Sequence, residues 1–193
     1  MRVRTAVVLV ACALLHAACT NPPDKEMNQA RGAIEAARAA GAEQYAPDEY
    51  KAAVASLKHS EDAVQQRDYR QALNDALDSR EQAENAARVA ANQKAAVRSQ
   101  TERELHDLQP LVDQAHARLK AAETPRTRRA RALQAERQAV AAADASVQKA
   151  RTAMARQDYI GARDALRGVA EQLQATIRRI EAPAQASAPK HRG

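Results

Sequence analysis

Histidine, carboxylate and arginine are the side chains in this sequence that could do chemistry, and their spacing decides which kind. His59, His106, His116 and His191 lie beyond the apolar N-terminal run, and none of them forms an i, i+4 pair. A metal site needs ligands that converge on one point, so the spacing predicts solvated histidines and no metal. No Gly-rich phosphate loop, Gly-x-Ser-x-Gly or HExxH is present, and these are the local patterns that hydrolases and nucleotide enzymes require. The carboxylates stand among arginines and lysines at helical spacings such as Glu84–Arg88 and Asp113–Lys120, which predicts ion-paired, solvated faces. The expected protein is therefore not an enzyme, and no cofactor is expected.

Charge is the uneven property. Residues 20–104 carry twelve basic and fifteen acidic side chains, hence −3, and residues 105–193 carry sixteen and nine, hence +7. Arg126, Arg128, Arg129 and Arg131 fall at the expected start of a helix, where cations oppose the macrodipole. Arg178 and Arg179 fall at a helix end, where the dipole favours them. In an up-down-up arrangement both groups gather at one end with Arg118 and Lys120, joined by Lys190 and Arg192 of the tail. These six arginines form the candidate anion-binding group, with anionic lipid headgroups, lipopolysaccharide phosphates or an acidic protein surface as partners. Nucleic acid is not expected, because four Tyr and no Trp or Phe leave almost no stacking platform.

The elements that position these residues follow from composition. Of the 193 residues, 45% are apolar, and alanine supplies more than half of that share. Ala, Arg, Glu and Gln favour helix, and five Gly with seven Pro leave few turns. The expected fold class is all-α: elongated, Ala-rich helical hairpins or three-helix bundles with coiled-coil-like packing, in two tandem units. Small side chains let helix axes approach closely but each removes little apolar area from water.

The first helix is expected over Met27 to Ala40, stopped by Gly41, with a loop from Ala42 to Ala46 and Pro47 opening the next helix. Tyr50, Leu57 and Val64 repeat every seven residues, the seam of a packed helix. A tight break follows near Arg67-Asp68, with Asp68 as N-cap, and then the stripe Tyr69, Leu73, Ala76, Ala83, Ala87 and Ala90. Leu105, Leu108, Val112, Ala115, Leu119 and Ala122 keep one register across Pro110, which predicts a kink rather than a stop. Thr124-Pro125 predicts a restart, and Leu133, Val140, Val147 and Met154 form the next seam. Asp158 caps a last helix whose face is Tyr159, Ala162, Leu166, Val169, Leu173, Ile177 and Ile180, ended by Pro183. Residues 183–193 form a basic tail expected to be disordered. Offset by ninety residues, Ala52, Ala53, Ala55, Ser56, Ala63, Asp68, Tyr69 and Ala72 fall on Ala142, Ala143, Ala145, Ser146, Ala153, Asp158, Tyr159 and Ala162. That match predicts a duplicated helical hairpin. The expected organisation is a signal peptide over 1–18, a tether over 19–26, helical units over 27–104 and 105–182, and the tail.

The N-terminal residues supply an address. Arg2 and Arg4 precede an apolar run from Thr5 to Leu15, too short to span a bilayer and of the length of an export signal. Ala17-Ala18-Cys19 follows, then the polar stretch Thr20 to Asp24. This arrangement resembles the lipobox of bacterial lipoproteins, although His16 stands where that family usually has Leu. The resemblance implies cleavage before Cys19, acylation of its thiol including a palmitate-type chain, and anchoring in a membrane. Leu9-Val10-Ala11-Cys12 is a cleaner local match, but would leave an apolar run too short for a signal. An ordinary cleaved signal with an incidental Cys19 is the plain alternative. By the lipoprotein sorting rule, Thr20 after the cysteine implies the outer membrane facing the periplasm, with the inner membrane or a soluble periplasmic form as alternatives.

A second resemblance rests on residues 36–50, Ala-Ala-Arg-Ala-Ala-Gly-Ala-Glu-Gln-Tyr-Ala-Pro-Asp-Glu-Tyr, followed by Asp68-Tyr69-Arg70-Gln71-Ala72. Over roughly residues 28–95 the chain resembles a domain of unknown function found in Gram-negative envelope lipoproteins and preceding OmpA-like domains. That family implies a helical domain and transfers no catalytic residue. No OmpA-like domain is evident here, so peptidoglycan binding is not implied. Together these readings predict a non-enzymatic envelope lipoprotein acting as a helical spacer or adaptor in the periplasm. The alternative is a helical binding module for a periplasmic protein, lipid or lipopolysaccharide, which would need an open apolar groove near Tyr45, Tyr50 and Tyr69.

Overall fold

A computed structural model describes residues 21–123 and 133–182 of the chain. The described elements are all helices: α1 (Asp24–Ala39), α2 (Ala42–Tyr45), α3 (Pro47–Gln65), α4 (Tyr69–Ala122), α5 (Gln134–Ala155), α6 (Tyr159–Leu166) and α7 (Val169–Glu181). The expected all-α class is what the chain adopts. The chain divides into two compact units, Met1–Ala95 and Ala96–Gly193. The division falls inside α4, where alanine, frequent up to Ala96, is absent from Val97 to Gln114; the boundary expected from the sequence is 104/105.

In the first unit, α1 starts before the expected Met27. Asp24 and Glu26 in its first turn complement the positive end of the helix dipole, and Pro23 stands at its N-cap. Gly41 stops it in the left-handed region at φ 88°, with its N–H donating to the Arg38 carbonyl at 2.9 Å. A side chain there would meet the Tyr45 ring as well as the backbone penalty. Residues 42–45, expected as loop, close one helical turn before Pro47 opens α3 from its first position.

The break at Arg67-Asp68 is present and has a definite hydrogen-bond pattern. The Asp68 N–H donates to the Ala63 carbonyl at 2.9 Å and the Arg67 N–H to the Val64 carbonyl at 3.0 Å, the pairing of a Schellman motif. Arg67 takes the left-handed position at φ 61°. Asp68 then serves the following helix, its Oδ1 accepting from the Gln71 N–H at 3.0 Å. The antiparallel pair it creates is tied by two buried hydroxyls. Ser60 Oγ donates to the Ala72 carbonyl at 2.7 Å and Ser79 Oγ to the Ala53 carbonyl at 2.8 Å. Such bonds require backbones at close approach, which Ala53, Ala72, Ala76 and Ala83, all fully buried, permit. The core adds Ile34, Ala37, Tyr50, Ala86 and Ala90.

The second unit is built from the C-terminal part of α4 with α5, α6 and α7. The helix does not stop at Pro110. Pro removes the N–H that the His106 carbonyl would accept from, and both residues are exposed, so water can serve that carbonyl. The expected restart at Thr124-Pro125 lies outside the described residues, and the next described helix begins at Gln134. The turn after α5 repeats the first one at a spacing of ninety residues. The Asp158 N–H donates to Ala153 O at 2.9 Å and the Gln157 N–H to Met154 O at 3.0 Å, with Gln157 at φ 62°. Asp158 caps α6 by accepting from the Gly161 N–H at 2.9 Å.

The single last helix expected from Asp158 onward is corrected to two. Arg167 (φ −55°, ψ 118°) and Gly168 (φ 74°, ψ 1°) form a type II turn, which needs Gly at its third position. Tyr159, Ala162, Leu166, Val169, Leu173, Ile177 and Ile180 are nevertheless all buried, because the apolar stripe stays in phase across the turn.

Arg67 and Gln157 are the positive-φ non-glycine residues among those described, and L-residues there cost about 1–2 kcal/mol. Glycine removes that cost while losing more chain entropy on folding. Arg67→Gly and Gln157→Gly should each stabilise by about 0.5–1 kcal/mol, read as a higher urea midpoint. A lowered midpoint would mean that the side chain itself holds the turn.

Candidate functional site

Arg178 and Arg179 are the members of the candidate anion-binding group that fall among the described residues. Arg126, Arg128, Arg129 and Arg131 lie outside them, as do Cys19, Lys190 and Arg192. The end of the second unit that bears Arg178 and Arg179 carries acids as well as bases. Arg118 pairs with Glu181 at 2.9 Å, Arg137 with Glu123 at 2.6 Å, and Arg179 lies 3.6 Å from Glu136 while donating to Thr176 Oγ1 at 2.9 Å. Arg178 is exposed and makes no ion pair among the described residues. The sequence reading counted cations along helices and had no means of seeing which acids would face them. Arg179 of the candidate group, and Arg118 expected beside it, are already matched by carboxylates.

The other expected pairs are partly redrawn. Glu84 lies 3.6 Å from Arg80, while Arg88 donates to Asn85 Oδ1 at 2.6 Å, so the expected Glu84–Arg88 pair is not the one formed. Asp113 accepts from Gln109 rather than facing Lys120. His116 stands 2.9 Å from Asp144 across two helices, His106 lies 3.3 Å from Asp107, and His59 is exposed. Among the described residues no group of three or more His, Cys, Asp and Glu is placed to hold a metal ion.

The tyrosines of the first unit sit at helix ends. Tyr50 is buried near the start of α3, with the Arg38 guanidinium 5.8 Å from its ring centroid. Burial pushes the Tyr50 phenol up, and the nearby Arg38 partly opposes this. Arg38 is itself held further into its charged form, first by the hydrogen bond to Glu43 and then by Glu35. Tyr45 and Tyr69 are half-buried. In the second unit Arg98 stands 6.0 Å from the Tyr159 ring centroid.

Surface grooves occur in both units. One in the first unit lies beside the Arg67-Asp68 turn and is lined by His59, Asp62, Asp68 and Asp75. One in the second unit lies beside Pro110, with Asp113 and Arg151 at its sides. Another is floored by Leu108, Leu111 and Ala170 and edged by Arg103, Glu104 and Asp107. Sequence reasoning missed the last of these, because its walls come from helices about sixty residues apart.

No curated protein and no solved structure matches the chain. Over residues 25–104 the sequence matches the family model described as a domain of unknown function, DUF4398. That span runs from α1 into α4 and contains the Gly41, Tyr50 and Asp68-Tyr69 features described above. Over that span, less than half of the chain, the sequence is similar to this domain of unknown function.

Proposed function

We propose that the protein is a non-enzymatic envelope lipoprotein, anchored through Cys19 in the outer membrane and serving as a helical spacer or adaptor in the periplasm. The observation that carries this reading is the N-terminal sequence: Arg2 and Arg4, a short apolar run, then Ala17-Ala18-Cys19 and a polar tether. Acylation would supply the attachment; among the described residues no helix is long and apolar enough to cross a membrane. Several acyl chains give stable attachment where one holds only marginally. Closely packed helices capped by short turns suit a part that holds distance or presents a surface. Mass spectrometry of the mature N-terminus should find an acylated Cys19, and Cys19→Ala should move the chain from the membrane to the soluble fraction. A mature chain starting elsewhere, or carrying an unmodified Cys19, would remove the anchor.

As a partner for the basic end we propose phosphate-bearing lipid or an acidic envelope protein, held by Arg126, Arg128, Arg129 and Arg131 together with Arg178. Attraction to an anionic surface contributes about 1 kcal/mol per basic residue close to it. The unlipidated Cys19→Ala chain should co-sediment with anionic vesicles at low salt and be released when the four clustered arginines become Gln. Binding that ignores both the substitutions and high salt would make the cluster a solvated face.

A further inference from the structure

The two units can be matched segment by segment along the sequence, and the comparison assigns a ligand class to the groove over Leu108 and Leu111. The hairpins correspond at a spacing of ninety residues, as their turns show. The first helices correspond at a different spacing, Gln29 with Asp107. With that register the buried or half-buried positions Met27, Ala30, Ala33, Ile34 and Ala37 fall on Leu105, Leu108, Leu111, Val112 and Ala115, each also buried or half-buried. A cross-helix bond agrees: Arg31 reaches Glu61 in the first unit, and the matching pair, Gln109 and Arg151, are bonded at 2.7 Å in the second.

In the first unit the place equivalent to the groove is filled. Arg80 lays its side chain across α1, donating to Gln29 Oε1 at 3.1 Å, with its Nε shielded from solvent and 3.6 Å from Glu84. The residue matching Arg80 in the second unit is Ala170, and the residue matching Gln29 is Asp107. The arginine is gone, the floor beneath it has grown from alanines to Leu108 and Leu111, and the acceptor has gained a full charge. Glu104 stands on the same rim. Arg103 is there too, but its guanidinium turns back along the helix to donate to Ser99 Oγ at 2.6 Å.

We propose that this groove binds an arginine side chain presented by another polypeptide, its methylene stem on Leu108, Leu111 and Ala170 and its guanidinium at Asp107 and Glu104. An arginine stem covers apolar surface while its head stays at a polar rim, and a planar guanidinium matches a carboxylate in two bonds. The proposal does not depend on the anchor at Cys19. Its test uses the full mature chain, isotope-labelled, and a blocked pentapeptide Ala-Ala-Arg-Ala-Ala titrated by NMR against the same peptide with neutral citrulline. The arginine peptide should shift the amides of Asp107, Leu108, Leu111 and Ala170 with millimolar affinity, and citrulline should bind about tenfold more weakly. Ala170→Arg should fill the groove from within, abolish the peptide shifts and raise the melting temperature, as a side chain restored to its place would. Equal shifts with citrulline, shifts confined to other residues, or peptide binding unchanged in Ala170→Arg would each overturn the proposal.

Discussion

Val147→Asp should cost about 3–5 kcal/mol and remove the cooperative unfolding of the second unit. Val147 lies in the core of that unit with Val140, Ala143, Ala150, Leu166 and Leu173, and is 6% exposed. A carboxylate there gives up its hydration without gaining a partner, and a domain's whole stability is only about 5–15 kcal/mol. The equivalent change in the first unit, Leu57→Asp, should cost less, because Leu57 is only half-buried and its substituent can turn to water. Thermal melts by circular dichroism of both variants decide the matter. An unchanged melt for Val147→Asp would mean that α5, α6 and α7 are not packed as described.

Leu173→Ala should cost about 2–4 kcal/mol, the range of large-to-small changes in rigid cores. The first unit already holds alanine at the equivalent place, Ala83, and there the neighbouring helix has closed in until Ser79 reaches the Ala53 carbonyl. The second unit has no such hydroxyl: Val169 and Ala150 occupy the places of Ser79 and Ser60. Its core is filled by Leu166, Leu173 and Ile177, so shortening one of them should leave a void rather than a closer contact. Urea denaturation measures the loss. A cost below about 1 kcal/mol would show that the second unit can collapse to alanine-like spacing.

How much of this was visible beforehand depends on whether a feature is local. The Asp68 and Asp158 caps, the Gly41 stop and the Pro47 start are local chemistry, and each stands where the residue types put it. The stripes on α4, α5 and α7 were visible because burial imposes a period. The same stripe concealed the turn at Arg167-Gly168, since its phase is identical for an unbroken helix and only the glycine hinted at a left-handed residue. The partners of Arg118 and Arg179 and the groove beside Ala170 depend on what faces them across helices, and no spacing along one helix records that. The groove had one trace, an Arg80 without its counterpart inside a repeat that otherwise keeps Glu81-Gln82 as Glu171-Gln172. That trace acquires meaning only after Arg80 is seen lying on Gln29.

The two Schellman turns have a kinetic consequence. Each joins its helices through about three residues, and the bonds on either side, Ser60 to Ala72 in the first unit, join positions only twelve apart in sequence. Closing so short a loop loses little entropy, and folding rates rise as contacts become more local. Each hairpin can therefore form as soon as its own fifty or so residues are free, without waiting for the rest of the chain. A polypeptide emerging end-first from a narrow channel would acquire its structure in the order in which it emerges. Stopped-flow refolding should show this as an early helical phase that survives Val147→Asp, because the first hairpin needs nothing from the second.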